Sequence, residues 1–369
     1  VLYFFIGTYS AIISCLYFFL PLYLKDSLHF SGWQIGLLYG VLSLNSILAA
    51  FPLGVTGDRY PARILTRLGL LGTALTLVAL SRAQQFLPFL AIFWASGLSL
   101  QFFRQSLDIM LFKDNPGSPA LRFGRYNAWR MGGMTAGILA GGLLLTFVAF
   151  PETLKFWALF LIVLLAASLR LPLTRGVSTP LQQYWQDFSS RPVLFFAIWL
   201  FLFTMHWGAE GTSLALFLKS ALGLSPLGTG LYMAGEFSIV AATAYLYGRF
   251  WDGRLRPLTF LILALLASGL GHIFMTFPWL AWSFAWRAVH GLGDGIIMML
   301  TYTTIAKLFH VDRIGGNSGL ILLTTTLGTF SGSLIYGPLG AALGYHLPLI
   351  ITGCVSLALI PLVYAGLKE

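Results

Sequence analysis

The chain has 369 residues, 57% of them hydrophobic and 9% charged, with a mean hydropathy of +0.82; soluble domains run roughly 45–50% apolar and ~25% charged. That balance excludes an ordinary soluble domain, because one core cannot bury so much apolar surface, whereas lipid solvates it directly. The net charge of +10 does not signal nucleic acid, since the basic residues are scattered over short loops and form no continuous stripe.

A membrane span needs ~20 mostly apolar residues. On that basis the sequence predicts twelve helices, roughly 3–23, 33–53, 64–81, 86–111, 127–149, 154–171, 193–218, 227–248, 258–276, 279–307, 317–342 and 347–366. The first lacks a basic n-region and a small-residue cleavage site, so it reads as a membrane helix rather than a secretory signal, and the absent initiator methionine reads as a trimmed N-terminus. Turn chemistry marks breaks at Lys113-Asp114-Asn115-Pro116-Gly117, Thr174-Arg175-Gly176-Val177-Ser178 and Asp312-Arg313-Ile314-Gly315-Gly316. Cys15 and Cys354 lie within apolar segments and show no metal-ligand spacing.

Connections after even-numbered spans are rich in arginine (Arg59, Arg63 and Arg67; Arg122 and Arg125; Arg249, Arg254 and Arg256), while the others hold little beyond Lys25, Arg82, Lys155 and Lys219. The positive-inside rule therefore puts both termini in the cytoplasm, as expected for a bacterial inner-membrane protein. The predicted domains are residues 1–171 and 193–369, joined by a polar cytoplasmic linker, 172–192, that holds Gln182, Gln183, Gln186 and Asp187.

The two halves are spelled alike at a fixed distance. Leu22-Tyr23-Leu24-Lys25 leads to Gly54 and Asp58, and Leu216-Phe217-Leu218-Lys219 leads to Gly248 and Asp252; Asp252 minus Asp58 is 194, as are Ser225 minus Ser31 and Gly291 minus Gly97. In a hydrophobic chain, a repeat of this size indicates a two-fold pseudosymmetric transporter.

Six helices, a cytoplasmic linker and six more in parallel repeat resemble the major facilitator superfamily. Gly54-Val55-Thr56-Gly57-Asp58-Arg59-Tyr60-Pro61-Ala62-Arg63 resembles that family's signature loop between the second and third helices, and Gly248-Arg249-Phe250-Trp251-Asp252-Gly253-Arg254 is similar to its weaker copy between the eighth and ninth. The resemblance implies an all-α integral membrane fold of two six-helix bundles, with Gly54, Asp58, Arg59, Arg63, Asp252 and Arg254 in gating roles. It implies that Asp58 faces the start of the eleventh helix near 316–318, and Asp252 the start of the fifth near Tyr126, each carboxylate meeting the positive end of a helix. The plainer alternative is loop charge obeying the positive-inside rule. Arg122-Phe123-Gly124-Arg125-Tyr126 and the Leu-x-Leu-Lys runs are similar to the branch containing lactose permease and proton-linked nucleoside and phenylpropionate permeases. The fifth helix also keeps the glycines of the drug-antiporter motif from Gly133 to Gly142, but has Ile138 where that motif has proline.

An ionisable group in a spanning helix costs about 2.5–3.5 kcal/mol on insertion scales unless it faces a cavity or a partner. The candidates are Arg104 and Asp108 in the fourth helix, His206 and Glu210 in the seventh, Glu236 in the eighth, and Arg287, His290 and Asp294 in the tenth. Spacings of three and four put the last three on one face. Glu236 and His290 both fall near mid-membrane, so Glu236, His290, Asp294, Glu210 and Arg287 form the predicted proton-coupling set; a carboxylate in a low-dielectric cavity takes up a proton readily, and a neighbouring histidine or arginine tunes it. The lactose-permease group has a carboxylate in the eighth helix and a histidine followed by an acid in the tenth, which Glu236, His290 and Asp294 resemble. The alternative is a neutral salt-bridge cluster that only holds the C-terminal half together. For substrate, Arg104 is the expected anchor of an anionic group unless Asp108 neutralises it, and Gln101, Gln105, Asn45 and His206 offer hydrogen bonds. Arg130, just inside the predicted fifth helix, is expected to snorkel to the interface.

The sequence thus reads as a monomeric secondary transporter that moves a small organic solute by proton-coupled symport, with the proton gradient as energy source and no cofactor. Its expected partners are the solute, protons and the lipid bilayer, not nucleic acid. No Walker-type phosphate loop and no nucleophile or metal constellation argues for an enzyme. The rivals are proton-antiport export of drug-like compounds or siderophores, and a non-transporting receptor or scaffold on the same fold.

Overall fold

The computed structural model describes residues 1–113, 119–174, 176–254 and 256–366. The predicted turn residues Asp114, Asn115, Pro116 and Gly117, and Arg175, lie outside them. Among the described residues there is no strand. Twelve long helices follow one another: α1 Leu2–Asp26, α2 Gly32–Arg59, α3 Ala62–Leu80, α4 Phe86–Lys113, α5 Pro119–Leu144, α6 Phe150–Ala167, α7 Arg191–Leu222, α8 Pro226–Leu246, α9 Pro257–Phe274, α10 Leu280–Leu308, α11 Ile314–Leu343 and α12 His346–Gly366. A short linker helix, Leu181–Phe188, lies between α6 and α7.

Among the described residues nine helices are both long and apolar enough to cross a membrane. The other three, α5, α8 and α10, have spanning length but are diluted by glycines and charges such as Arg130, Glu236 and Arg287. A charge lowers the apolarity of the helix that carries it, whether or not that helix spans. The fifth helix begins at Pro119 rather than 127. Its first turns carry Arg122 and Arg125, which a hydropathy window rejects although the backbone there still closes its own hydrogen bonds.

The repeat is visible in the caps. Ser31 opens α2 with a capping box, accepting from Gln34 N at 3.3 Å while its own N–H donates to Gln34 Oε1 at 2.9 Å. Ser225, 194 residues on, caps α8 by accepting from Gly228 N at 3.1 Å.

It is also visible in the packing. Gly133 and Gly137 of α5 lie against the backbone carbonyls of Gly7 and Ala11 in α1, and Gly328 and Gly332 of α11 lie against those of Phe201 and Met205 in α7. Phe201 minus Gly7 and Met205 minus Ala11 are both 194, whereas Gly328 minus Gly133 and Gly332 minus Gly137 are both 195. One extra residue therefore enters the second half before α11, and the helix contacts absorb it. Glycine is required at these positions because an added Cβ would overlap main-chain atoms of the neighbouring helix.

The chain divides into two compact units. One comprises Val1–Asn115, Gly133–Asp187 and Phe309–Leu323; the other comprises Pro116–Gly132, Phe188–Leu308 and Thr324–Glu369. Helices α5 and α11 each contribute to both. In the first unit Tyr9 stacks on Phe103 with ring centroids 3.7 Å apart and shares a 2.9 Å hydrogen bond with Thr73, tying α1, α3 and α4 together. The second unit holds the charged cluster described next.

Candidate functional site

The α-helical path of α7 is broken by one π turn, Glu210–Leu214. Such insertions re-aim a side chain and recur at functional sites. Just before it, Gly208 lies on the α11 backbone at Thr329 and Ser333. These two features set Glu210 into a buried polar cluster built by α7, α8, α9 and α10.

Arg287 is the bridge. Its side chain is 0% exposed, and its guanidinium forks between two carboxylates: Nη1 donates to Glu210 Oε1, and Nη2 donates to Glu236 Oε2 at 2.5 Å. Glu210 Oε1 also lies 3.0 Å from Nε2 of His272 and 3.0 Å from Nε2 of His290. Asp294 forms the second focus. Its Oδ2 accepts from Trp207 Nε1 at 2.9 Å and lies 3.1 Å from His206 Nε2, while its Oδ1 accepts from Ser268 Oγ at 2.9 Å. The rings of His272 and His290 stack, 4.5 Å apart and 11° from parallel.

The geometry constrains the protons. His206 has Nδ1 2.6 Å from the Phe203 carbonyl and Nε2 against Asp294. His290 has Nδ1 3.0 Å from the Ser268 carbonyl and Nε2 against Glu210. Both ring nitrogens of His206 meet acceptors, whereas in His290 Nδ1 does so and Nε2 stands close to Glu210 Oε1 without hydrogen-bond alignment. His272 differs, since its Nδ1 meets the Thr352 hydroxyl at 3.0 Å. With every imidazole neutral, three carboxylates against one guanidinium leave a formal charge of minus two, which a low-dielectric interior does not sustain. Two protons taken up among these carboxylates and imidazoles bring it to zero.

His206, Glu210 and His290 also place one ligand atom each within 4.8 Å of one another, a spacing a cation can bridge. Glu210 is already shared with Arg287, however, and His206 Nε2 is turned to Asp294. A fixed positive charge on a ligand oxygen opposes a metal, so the set is an ion-pair network.

A second arrangement surrounds the end of α2. Asp58 is 0% exposed; its Oδ1 accepts from Gly315 N at 3.0 Å and its Oδ2 from Gly316 N at 2.8 Å, the first turn of α11. Lys113 Nζ lies 3.1 Å from Oδ1, and Tyr184 of the linker helix donates to Oδ2 at 3.1 Å. Gly54 lies directly on the Gly315 carbonyl, so the two backbones touch where the carboxylate binds. Farther along the linker helix, Asp187 accepts from Arg313 Nε at 2.7 Å and Nη2 at 3.1 Å, and from Asn317 Nδ2 at 2.8 Å. Burial raises the Asp187 carboxyl, but bonding of its ionised form by Arg313 and Asn317 outweighs that and holds it below the ordinary carboxylate range.

The repeated loop keeps the backbone half of this contact only. Gly248 lies on the Ala120 carbonyl and Gly124 on that of Ala244, in the start of α5 and the end of α8. Asp252 is exposed and its carboxylate makes no bond to the start of α5 among the described residues; Arg254 is exposed too. The family resemblance implied a carboxylate contact at each loop, the second in a weaker copy. The π turn Tyr247–Trp251, absent from α2, ends the helix differently and carries Asp252 away.

Of the remaining candidates, Arg59 reaches the Thr179 carbonyl at 3.5 Å, and Arg63 is half-buried. Arg104 is exposed on α4. Gln101 is buried, Asn45 is buried and donates to the Trp94 carbonyl at 2.9 Å, and Gln105 donates to the Gly315 carbonyl at 3.3 Å. Gln105 thus belongs to the α2–α11 contact, and His206, expected against substrate, belongs to the charged cluster. His272 escaped the reading of the sequence. It lies close to the end of the ninth predicted span, but the rule that flagged the other buried ionisable residues applies to it equally. Arg130 is not at a helix entrance: with α5 starting at Pro119 it lies well inside the helix and donates to Tyr302 Oη at 3.3 Å.

A duplicated set of twelve long helices, nine of them among the described residues apolar enough to cross a membrane, with an asymmetric buried charge network is the plan of a multi-pass membrane transporter. The family model of the Major Facilitator Superfamily matches residues 2–282 and 200–369, and the chain belongs to that superfamily. No curated protein matches it. Among solved structures it is similar to the human organic anion transporter MFSD10 (TETRAN), with TM-score 0.83 and 15% identity over 98% of this chain and 97% of that one. It is also similar to the superfamily transporter FucP in its outward conformation, with TM-score 0.75 and 12% identity over 98% and 97%. At these identities the likeness is one of fold, the all-helical major facilitator fold.

Proposed function

We propose that this secondary transporter moves a small organic solute by proton-coupled symport, through a rocking of its two halves that exposes the site to each membrane face in turn. The observation that supports coupling is the pair of histidines, His206 and His290, each held between a backbone carbonyl and a carboxylate of the same network. Each proton the cluster gives up leaves one more uncompensated buried charge. The cluster is therefore stable when loaded and costly when empty, which is the property that ties proton movement to a conformational change. Glu236 holds Arg287 from the far side, so protonating it frees the guanidinium to follow Glu210. Both termini are cytoplasmic in this reading, and the membrane is a bacterial inner membrane.

The test begins with a thermal-shift screen of the purified protein against sugars, nucleosides, aromatic acids and small chelators at two pH values. With the solute in hand, Glu236→Gln and Asp294→Asn are reconstituted in liposomes. Accumulation driven by a pH gradient is abolished in both, and unchanged accumulation removes these residues from coupling. Uptake that rises when the gradient is reversed identifies export by antiport instead.

A further inference from the structure

Arg130 stands apart from both networks. It is the twelfth residue of a 26-residue helix, about 16 Å from its start at 1.5 Å per residue. Its guanidinium is turned to α10: Nη1 donates to Tyr302 Oη at 3.3 Å, and Nη2 approaches Met298 Sδ at 3.9 Å. A phenol and a thioether are weak partners for a full charge. No carboxylate among the described residues lies within ion-pair distance, in contrast to Arg287 and Arg313. Nor is Arg130 sealed in. Arg130 is half-buried, and its Nε is neither bonded nor among the buried atoms that lack a partner, so it reaches the surface of the structure.

We propose that Arg130 binds the anionic group of the transported solute, and that the solute is an organic monocarboxylate. The proposal rests on the transporter reading above and names its substrate class. A guanidinium presents a planar fork that matches one carboxylate. A single fork suits a monoanion, whereas a phosphate dianion calls for a second cation. An apolar body suits the neighbourhood, because Met298 and the Tyr302 ring flank the guanidinium and Phe123 stands 5.7 Å from Tyr302, centroid to centroid. Arg130 thereby separates solute recognition from the proton cluster: it lies on α5 and the middle-to-late part of α10, whereas Arg287, His290 and Asp294 occupy the earlier turns of α10.

The experiment uses the purified full chain and three acid and amide pairs: benzoate and benzamide, 3-phenylpropionate and its amide, hexanoate and its amide. At least one acid raises the thermal midpoint and binds by calorimetry, while its amide binds at least tenfold more weakly. Arg130→Gln weakens that acid tenfold or more, and Arg130→Lys less. Equal binding of acid and amide, binding unaffected by Arg130→Gln, or no binding by any acid overturns the proposal. Without ligand, Arg130→Met has a thermal midpoint equal to or above that of the parent, because it removes an unpaired charge; a clear fall would make Arg130 a structural residue instead. Since binding needs no gradient, the two readings fail separately. An acid that binds through Arg130 but is not accumulated refutes coupling, and a neutral solute accumulated under a pH gradient refutes this inference.

Discussion

Replacing Arg287 with methionine leaves Glu210 and Glu236 in the membrane interior without the guanidinium that bridges them. The residue is fully buried, so water does not take its place. Removing one partner of a buried ion pair costs about 3–5 kcal/mol, or roughly two to three and a half decades in the folded ratio at about 1.4 kcal/mol per decade. The network also becomes more negative by one charge. Adding Glu236→Gln restores the balance and keeps a side chain of the same shape, so Arg287→Met/Glu236→Gln recovers much of the loss, with a coupling of at least about 1.5 kcal/mol. Thermal midpoints of the parent, both single variants and the double variant, measured in one detergent at one pH, give the order directly. A double variant no more stable than Arg287→Met refutes the view that these carboxylates share one charge balance.

Asp58→Asn sets an amide against two backbone N–H donors and removes the Lys113 pair, so it destabilises by about 3 kcal/mol; Tyr184→Phe loses one hydrogen bond, worth about 1 kcal/mol. Equal falls in thermal midpoint for the two contradict the central place given to the carboxylate. Gly208→Leu drives a side chain into the α11 backbone and prevents recovery of monodisperse protein, whereas Gly36→Leu, with open space around it, is tolerated; size-exclusion profiles distinguish them. Asp187 is held below the usual carboxylate range, so the stability it contributes is present above the unfolded value of ~3.9 and is lost only as pH falls through its own lower value. Limited proteolysis of segment 176–190 is therefore unchanged from pH 8 to 5 and accelerated by Asp187→Asn, and acceleration of the parent within that window counts against linker docking.

Composition and spacing in the sequence were enough to establish a membrane protein, twelve helices and a duplicated plan, because apolar length and a 194-residue register are properties of the chain itself. They also exposed most of the buried charges, since lipid makes a lone Glu236 or Arg287 conspicuous. Pairing was a different matter. That Glu210 meets Arg287, His272 and His290 at once depends on a π turn and on Gly208 admitting the α11 backbone, and neither follows from periodicity. The same limit applies to Asp58 and Asp252: letters repeat at a fixed offset, but a carboxylate's partner is set by how its helix ends. Arg130 shows it most plainly. A window that scores apolarity started α5 eight residues late, whereas the backbone begins at Pro119 and puts Arg130 about three turns inside the helix, where it meets Tyr302 and no carboxylate among the described residues.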